Sequence, residues 1–278
     1  MKLLAAAKAD TTRVTLMWQV ADFSYLYNPD SSLKMAQQAL YLAQKIKYTE
    51  GESRSLGVLA TACREVGDYK KALMYLLQKL QIEEKRTNHR SLASVLINIG
   101  ILYVSLEQYD EALSYYRRAN AIITENNVAD LKYFISNNMG DVFQRMKNDS
   151  ALIFFTESLR LGDSLNNNIY RGASMVGIGH YYLDRKNYDL ALQYYKQGIV
   201  FLELANNDDL ICEATINLAK LYNDLKNDDS TEHYALKSFH TAERAGFQAR
   251  ELDAVEFLYN YYRQRENISK SFAFIEKA

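Results

Sequence analysis

Residues 96–120 read LINIGILYVSLEQYDEALSYYRRAN, and residues 175–199 read MVGIGHYYLDRKNYDLALQYYKQGI. The two stretches share a spacing more than an identity. A small residue stands three before an aromatic, a second small residue follows nine later, and another aromatic lies four beyond that. In the first stretch these are Gly100, Tyr103, Ala112 and Tyr116; in the second they are Gly179, Tyr182, Ala191 and Tyr195. The template also finds Ala60, Cys63, Ala72 and Leu76. With one residue removed from the turn it finds Gly140, Phe143, Ala151 and Phe155, then Ala219, Tyr222, Ser230 and Tyr234. Weaker copies lie at both ends: Ala21, Phe23, Ser32 and Ala36, then Tyr259, Tyr262, Ser271 and Ile275. The second small residue thus recurs at 32, 72, 112, 151, 191, 230 and 271, in steps of 40, 40, 39, 40, 39 and 41. Such a period marks an array of supersecondary units, each burying its apolar face on its neighbours.

Each unit reads as two helices. Apolar residues over 93–106 recur at three and four, and Ala112, Leu113, Tyr116 and Ala119 repeat that pattern over 109–123. The turns between them, EVGDY, SLEQY and DRKNY, are short and polar, which forces antiparallel neighbours. Composition agrees: 278 residues hold one proline (Pro29) and 11 glycines, too few breakers for a chain of many strands. The expectation is an all-α fold, a right-handed α-solenoid of about seven helix-turn-helix repeats. They run over about 11–50, 51–88, 89–126, 127–166, 167–206, 207–246 and 247–278 as a single domain.

Charge and cysteine content narrow the function. With 33 Lys and Arg against 34 Asp and Glu, no global field draws the chain onto nucleic acid or an anionic membrane. Cys63 and Cys212 stand far apart, which excludes a disulfide framework and a CxxC knuckle. The opening MKLLAAAKAD has no long apolar run and is not a signal peptide. Nowhere does the sequence supply the roughly 20 apolar residues that span a bilayer.

The arrangement of a small residue, an aromatic three later, and then YxxAxxxY resembles the tetratricopeptide repeat. The likeness runs from about Thr11 to Ala278 and fits best over Gly100–Ala119 and Gly179–Gly198. Units of about 40 residues depart from the family's 34, and the family's terminal proline is missing. The segment 10–51 is also similar to the opening of tetratricopeptide regions in Bacteroidetes-type signalling proteins, where such an array is the sensor half of a membrane histidine kinase or is joined to a DNA-binding regulator. Since the seventh unit stops at Ala278, inside its second helix, the chain is expected to be part of a longer polypeptide. A signal peptide upstream would make it periplasmic; without one it is cytoplasmic.

Catalytic and metal chemistry is not legible. His89, His180, His233 and His240 form no HExxH and have no ligand at metal-binding spacing, and the sequence holds no phosphate loop, dinucleotide fingerprint or nucleophile elbow. No cofactor, metal or catalytic residue is expected, and the chain is not read as an enzyme. The acidic pairs Asp208–Asp209, Asp228–Asp229 and Glu83–Glu84 read as helix starts or exposed ends, with Asp208 and Asp228 as caps. Tyr103, Tyr109, Tyr182, Tyr188 and Tyr222 occupy packing columns, so core outweighs a base-stacking platform.

The resemblance also implies a concave groove lined by the first helix of each unit. Its family geometry presents Arg64 in the second unit and Asn98 in the third. The fourth offers Asn137, Asn138, Asp141, Gln144 and Arg145, the fifth His180, and the sixth Asn217, Lys220 and Asn223. Asn98, Asn138 and Asn217 each lie two before the small residue. Stacked amides there can pair with the backbone of an extended peptide, or bond across to the neighbouring repeat; both readings stand. The family's carboxylate clamp is not matched, because the position after the small residue reads Thr61, Ile101, Asp141, His180 and Lys220. The expected function is a peptide- or protein-binding module, the non-catalytic input region of a bacterial signalling protein, without nucleic-acid or membrane contact. The alternative is a stand-alone scaffold that assembles other proteins or itself, an adaptor whose copies stack end to end through Phe272, Phe274 and Ile275.

Overall fold

The computed structural model describes residues 10–25 and 28–275, and among these there are helices and turns but no strand. The α-helices are α1 (Thr11–Ser24), α2 (Pro29–Lys45), α3 (Thr49–Glu65), α4 (Tyr69–Glu83), α5 (His89–Ser105), α6 (Tyr109–Glu125) and α7 (Lys132–Arg145). They continue as α8 (Ser150–Ser164), α9 (Asn168–Asp184), α10 (Tyr188–Leu204), α11 (Asp208–Asp224), α12 (Asp228–Ala245), α13 (Gln248–Gln264) and α14 (Ile268–Ile275). A short 3-10 turn, Ala129–Leu131, precedes α7. The fold is therefore all-α, two helices for each period of the sequence. By its packing the chain forms two compact units, Met1–Val142 and Phe143–Ala278.

The turns explain why so little glycine suffices. After α11, the Lys226 N–H bonds to the Asn223 carbonyl at 3.0 Å and the Asn227 N–H to the Tyr222 carbonyl at 3.0 Å, a Schellman closure. The residue between, Lys226, takes the left-handed conformation with φ 58°. Asn227 then opens α12, its side chain accepting from the Ser230 N–H at 3.1 Å. One asparagine thus closes a helix with its backbone and starts the next with its side chain. Asn167, Asn187, Asn207 and Asn267 do the same. The left-handed position is glycine only at Gly67 and Gly246; elsewhere among the described residues it is Lys, Asn or Glu.

In unit 1, Ala21, Ala36, Val58 and Leu59 pack together under Trp18, Leu33, Met35, Leu40 and Tyr75. The small residue of the first helix lets the second approach. A Cβ on Gly100 would come within 2.3 Å of the Tyr116 ring. In unit 2, Ala151, Phe155, Ile178 and Tyr181 form one core layer, and Val176, Tyr195, Leu202, Leu218 and Leu221 lie in the next.

Within each of five repeats, a ring of the first helix lies parallel to one of the second. The pairs are Tyr103–Tyr115, Phe143–Phe154, Tyr182–Tyr194, Tyr222–Tyr234 and Tyr262–Phe274, with centroids 5.3 to 5.8 Å apart. This stack corrects the register of the sixth repeat. Tyr234 matches Tyr194, three after Ala191, so the small residue is Thr231, which is fully buried, and not Ser230. The turn there has lost nothing, and the steps on either side become 40 and 40. In the first repeat Phe23 lies outside the packing column, 76% exposed, while Ser32 is buried and bonds to the Ala21 carbonyl at 2.8 Å.

Candidate functional site

In unit 1 the expected groove residues come from α3, α5 and α7. Asn98 and Asn138 are half-buried, and no hydrogen bond within the described residues engages either side-chain amide. Of the two readings for these amides, bonding to a neighbouring repeat is not observed there. A half-buried amide with donor and acceptor both open is satisfied by water or by a ligand. Beside them, the Oδ1 of Asn137 is enclosed without a partner. Arg64 pairs with the adjacent Glu65 at 2.7 Å. Asp141 is half-buried and has partners within the fold.

Unit 2 treats its expected residues differently. Gln144 is buried and donates through Nε2 to the His180 carbonyl at 3.2 Å and to Asp184 Oδ2 at 2.5 Å, while its Oε1 has no partner. His180 Nδ1 meets the Tyr195 hydroxyl at 2.7 Å. Burial pushes that hydroxyl well above its ordinary range, so it stays protonated beside the imidazole. Gln144 and His180 are thereby brought together, both engaged in holding α7 and α9. Asn223 accepts from Arg265 at 3.4 Å. Asn217 is half-buried with its amide unengaged, whereas Lys220 and Arg145 are exposed, the latter with partners of its own.

Ion pairs about one repeat apart stitch neighbouring units of sequence together. Arg250 reaches Asp209 at 2.7 Å and Glu213 at 2.9 Å, and Arg244 reaches Asp208 at 3.0 Å. Arg265 holds Asp228 while lying 3.9 Å over the Tyr261 ring, and Arg185 holds Asp149 at 3.6 Å over Tyr181. Asp208 and Asp228 are therefore not the helix caps; Asn207 and Asn227 are. An amide one residue earlier reaches the N–H of the third position, which frees the carboxylates to pair with arginines.

Sequence reading also misplaced Glu83. It is fully buried on α4, and its Oε1 accepts from Ser53 and from Arg86 Nη1, the latter at 3.1 Å, while Oε2 has no partner. Arg86 also holds Glu50. Burial works against Glu50, yet hydrogen bonds from Arg86 and Arg54 hold its carboxyl below the ordinary value. The only signal in the sequence was the helical spacing of Glu83 with Lys79 and Arg86. Among the described residues no cluster of three or more His, Cys, Asp or Glu could hold a metal, and no helix is long and apolar enough to cross a membrane.

Two models of the tetratricopeptide repeat match the chain, one over residues 93–126 and 173–199, the other over 55–90. No curated protein matches the sequence. Among solved structures, NprR in complex with its cognate peptide NprX is similar at TM-score 0.70 and 14% identity, covering 96% of this chain and 78% of that one. A Rap protein complexed with competence and sporulation factor is similar at TM-score 0.66 and 19% identity, covering 84% of this chain. A signal transduction ATPase with numerous domains and a tetratricopeptide repeat sensor, from Pyrococcus horikoshii, is similar at TM-score 0.66 and 17% identity over 99% of this chain. The match spans 64% of the Rap protein and 41% of the ATPase. At these identities the likeness is one of fold.

Proposed function

Since this chain is a tetratricopeptide repeat protein, we propose that it is a protein- and peptide-binding module serving as the non-catalytic sensor or input region of a bacterial signalling protein. The observation that carries this reading is the recurrence of an open amide. Asn98 and Asn138 in unit 1, and Asn217 in unit 2, stand at the same place in their repeats with no partner among the described residues. Each offers a donor and an acceptor to a peptide backbone, which is recognition independent of side chains. In unit 1 the residues that accompany Asn98 and Asn138 are Arg64, Asn137 and Asp141; in unit 2 those that accompany Asn217 are Gln144, Arg145, His180, Lys220 and Asn223. The input role is supported by the similar folds, one of them in complex with a cognate peptide, one complexed with competence and sporulation factor, and one a signal transduction ATPase with a repeat sensor.

Selection of displayed peptides against the protein, followed by calorimetric titration, tests the reading. Asn98→Ala and Asn138→Ala should each weaken a peptide selected on unit 1, and Asn217→Ala one selected on unit 2, by roughly five- to tenfold, about one hydrogen bond's net worth. Peptides that bind all three variants like the parent would sink the groove assignment. A second reading, a scaffold that associates end to end, is favoured by Phe272, which is 60% exposed at the last repeat. The side chain of Ile275, which that reading also invokes, lies outside the described residues. Mass by light scattering across a concentration series, with Phe272→Ser as control, separates the two.

A further inference from the structure

Lys79 of α4 is the outstanding polar side chain that neither the fold nor the groove explains. It is 8% exposed, yet makes no hydrogen bond or ion pair with any described residue. Lysine is almost never buried to that degree unless paired, because an ammonium without acceptors carries its full desolvation cost. Its route is set by a glycine. Gly57 on α3 carries no side chain where its neighbours do, and a Cβ there would lie 2.8 Å from Lys79 Nζ. The second helix of the repeat therefore sends its lysine across the first, over the bare backbone of Gly57.

Around that ammonium the charges are unevenly engaged. Four groups act on Lys79 electrostatically: Glu83, Arg54, Glu50 and Asp22. Glu83 is bonded to Ser53 and Arg86, and Glu50 to Arg54 and Arg86. Asp22, on α1, feels both Lys79 and Arg54 but forms no ion pair with either. One turn before Asp22 stands Trp18, with Arg54 5.7 Å from its ring centroid and its Nε1–H buried without a partner. The indole N–H is thus enclosed without an acceptor, and the Lys79 ammonium, which is not fully enclosed, makes no hydrogen bond with the described residues.

We propose that Lys79 and the guanidinium of Arg54, which lies over the ring of Trp18, form an anchor for a carboxylate of the bound ligand at the first two repeats. A carboxylate brings two acceptor oxygens to an ammonium that hydrogen-bonds to none, and a charge-assisted hydrogen bond is the strong kind. Asp22 opposes it and limits affinity for anions at large. The proposal rests on the chain being a ligand-binding frame, and it assigns the chemistry of one ligand group.

Trp18 is the chain's one tryptophan, so its fluorescence and indole N–H resonance report on this cluster alone. The protein is titrated with glutarate, and in parallel with glutaramide, its uncharged isostere, and with chloride at matched ionic strength. Glutarate should shift the Trp18 resonance saturably while the amide and chloride do not. Lys79→Met should abolish the response. Gly57→Ala, which displaces the ammonium by one methyl group, should weaken it severalfold. Asp22→Asn should tighten it by about three- to tenfold, through loss of a like charge. Equal shifts with chloride, or a glutarate response that survives Lys79→Met, would overturn the anchor. If Lys79→Met proves poorly folded, Gly57→Ala decides, and an unchanged response there also overturns it. A glutarate response without any selectable peptide would leave the anchor standing and sink the peptide groove; peptides that bind Lys79→Met like the parent would do the reverse.

Discussion

The two compact units are built on one repeat but fill it differently. Unit 2 completes its hairpins with parallel aromatic pairs, Phe143–Phe154, Tyr182–Tyr194, Tyr222–Tyr234 and Tyr262–Phe274. It fastens neighbouring repeats at the surface with arginines stacked over Tyr181 and Tyr261. Unit 1 has such a pair at Tyr103–Tyr115, but where the second repeat has Cys63 the interior turns polar, with Glu83, Ser53 and Lys79 all buried. A repeat fixes backbone spacing and asks only that the space be filled. Aromatic filling stabilises; buried charge is kept where something besides stability is at stake. The region that departs from its own template is thus the better place to look for binding chemistry.

The largest expected contrast comes from removing Glu83. Glu83→Ala leaves Arg86, Ser53 and the nearby Lys79 without their shared acid, and a broken buried network costs roughly 3–5 kcal/mol. Thiol labelling under mild denaturant resolves where the loss falls. Burial pushes the Cys212 thiol up to about 12 and raises Cys63 as well, so both resist labelling while folded. Glu83→Ala should expose Cys63, in the same unit, well before Cys212. Simultaneous exposure would mean that the units unfold as one cooperative block.

Next in size is a pair of equivalent glycines. A Cβ at Gly100 would sit 2.3 Å from the Tyr116 ring, whereas at Gly179 the closest atom of Tyr195 is 3.0 Å away. Overpacking costs about 1–3 kcal/mol, and alanine recovers about 1 kcal/mol of helix propensity. Gly100→Ala should therefore destabilise by about 1–2 kcal/mol and Gly179→Ala by less than about 0.5 kcal/mol, read as denaturation midpoints. Equal losses would show that Tyr116 yields as readily as Tyr195, although Tyr195 is tied to His180.

How much of this was readable beforehand follows from what each feature depends on. The helices and their pairing are local consequences of periodicity, and Gly100, Ala112 and Gly179 declare them in any one repeat. The register of the sixth repeat is off by one because Ser230 and Thr231 are both small, and only the folded chain, by the ring stack on Tyr222 and the burial of Thr231, distinguishes them. Asn207 was passed over for Asp208 because an acid at a helix start looks like a cap, and its arginine partner lies 36 residues away. Lys79 was illegible for a different reason. Its path runs over the bare backbone of Gly57, and Asp22 acts on its charge from three helices earlier, a conjunction that no single repeat spells out.

Acid should affect the two units unequally. In unit 2, Arg265 and Arg185 hold Asp228 and Asp149 below the ordinary carboxylate range, and Lys270 and Tyr262 do so for Glu232. A carboxyl depressed in the folded state stabilises above its unfolded pKa of about 4, and that contribution is lost as pH falls through the folded value. Unit 1 has Glu50 and Asp68 in the same condition, but desolvation raises Asp22 against the pull of Lys79 and Arg54. A raised carboxyl binds its proton more readily when folded, so acid favours the native state there. Amide exchange followed from about pH 6 to pH 3, the span of these titrations, should accelerate first in α8–α13. Earlier acceleration in α1–α4 would remove Asp22 as a counterweight.

The smallest effect separates the units by their turns. The turn from α3 to α4 has Gly67 at the left-handed position, φ 78°, while unit 2 carries Lys147, Lys186 and Lys226 at the matching places. An L side chain there costs roughly 1–2 kcal/mol, and glycine gives back roughly 0.5–1 kcal/mol through unfolded-state entropy. Lys→Gly at each turn should then gain a few tenths to about 1 kcal/mol, and Gly67→Ala should lose about 1 kcal/mol. The triple variant at 147, 186 and 226 sums these gains into a shift in melting temperature that one substitution would leave within error. The Schellman bonds are backbone bonds and survive the change, so nothing in the closure offsets the gain. A triple variant that melts no higher than the parent would mean that the three lysines stabilise unit 2 through their charge, as cations at helix C-termini do. Repeating the melt at high salt, which screens that charge, would then restore the expected gain.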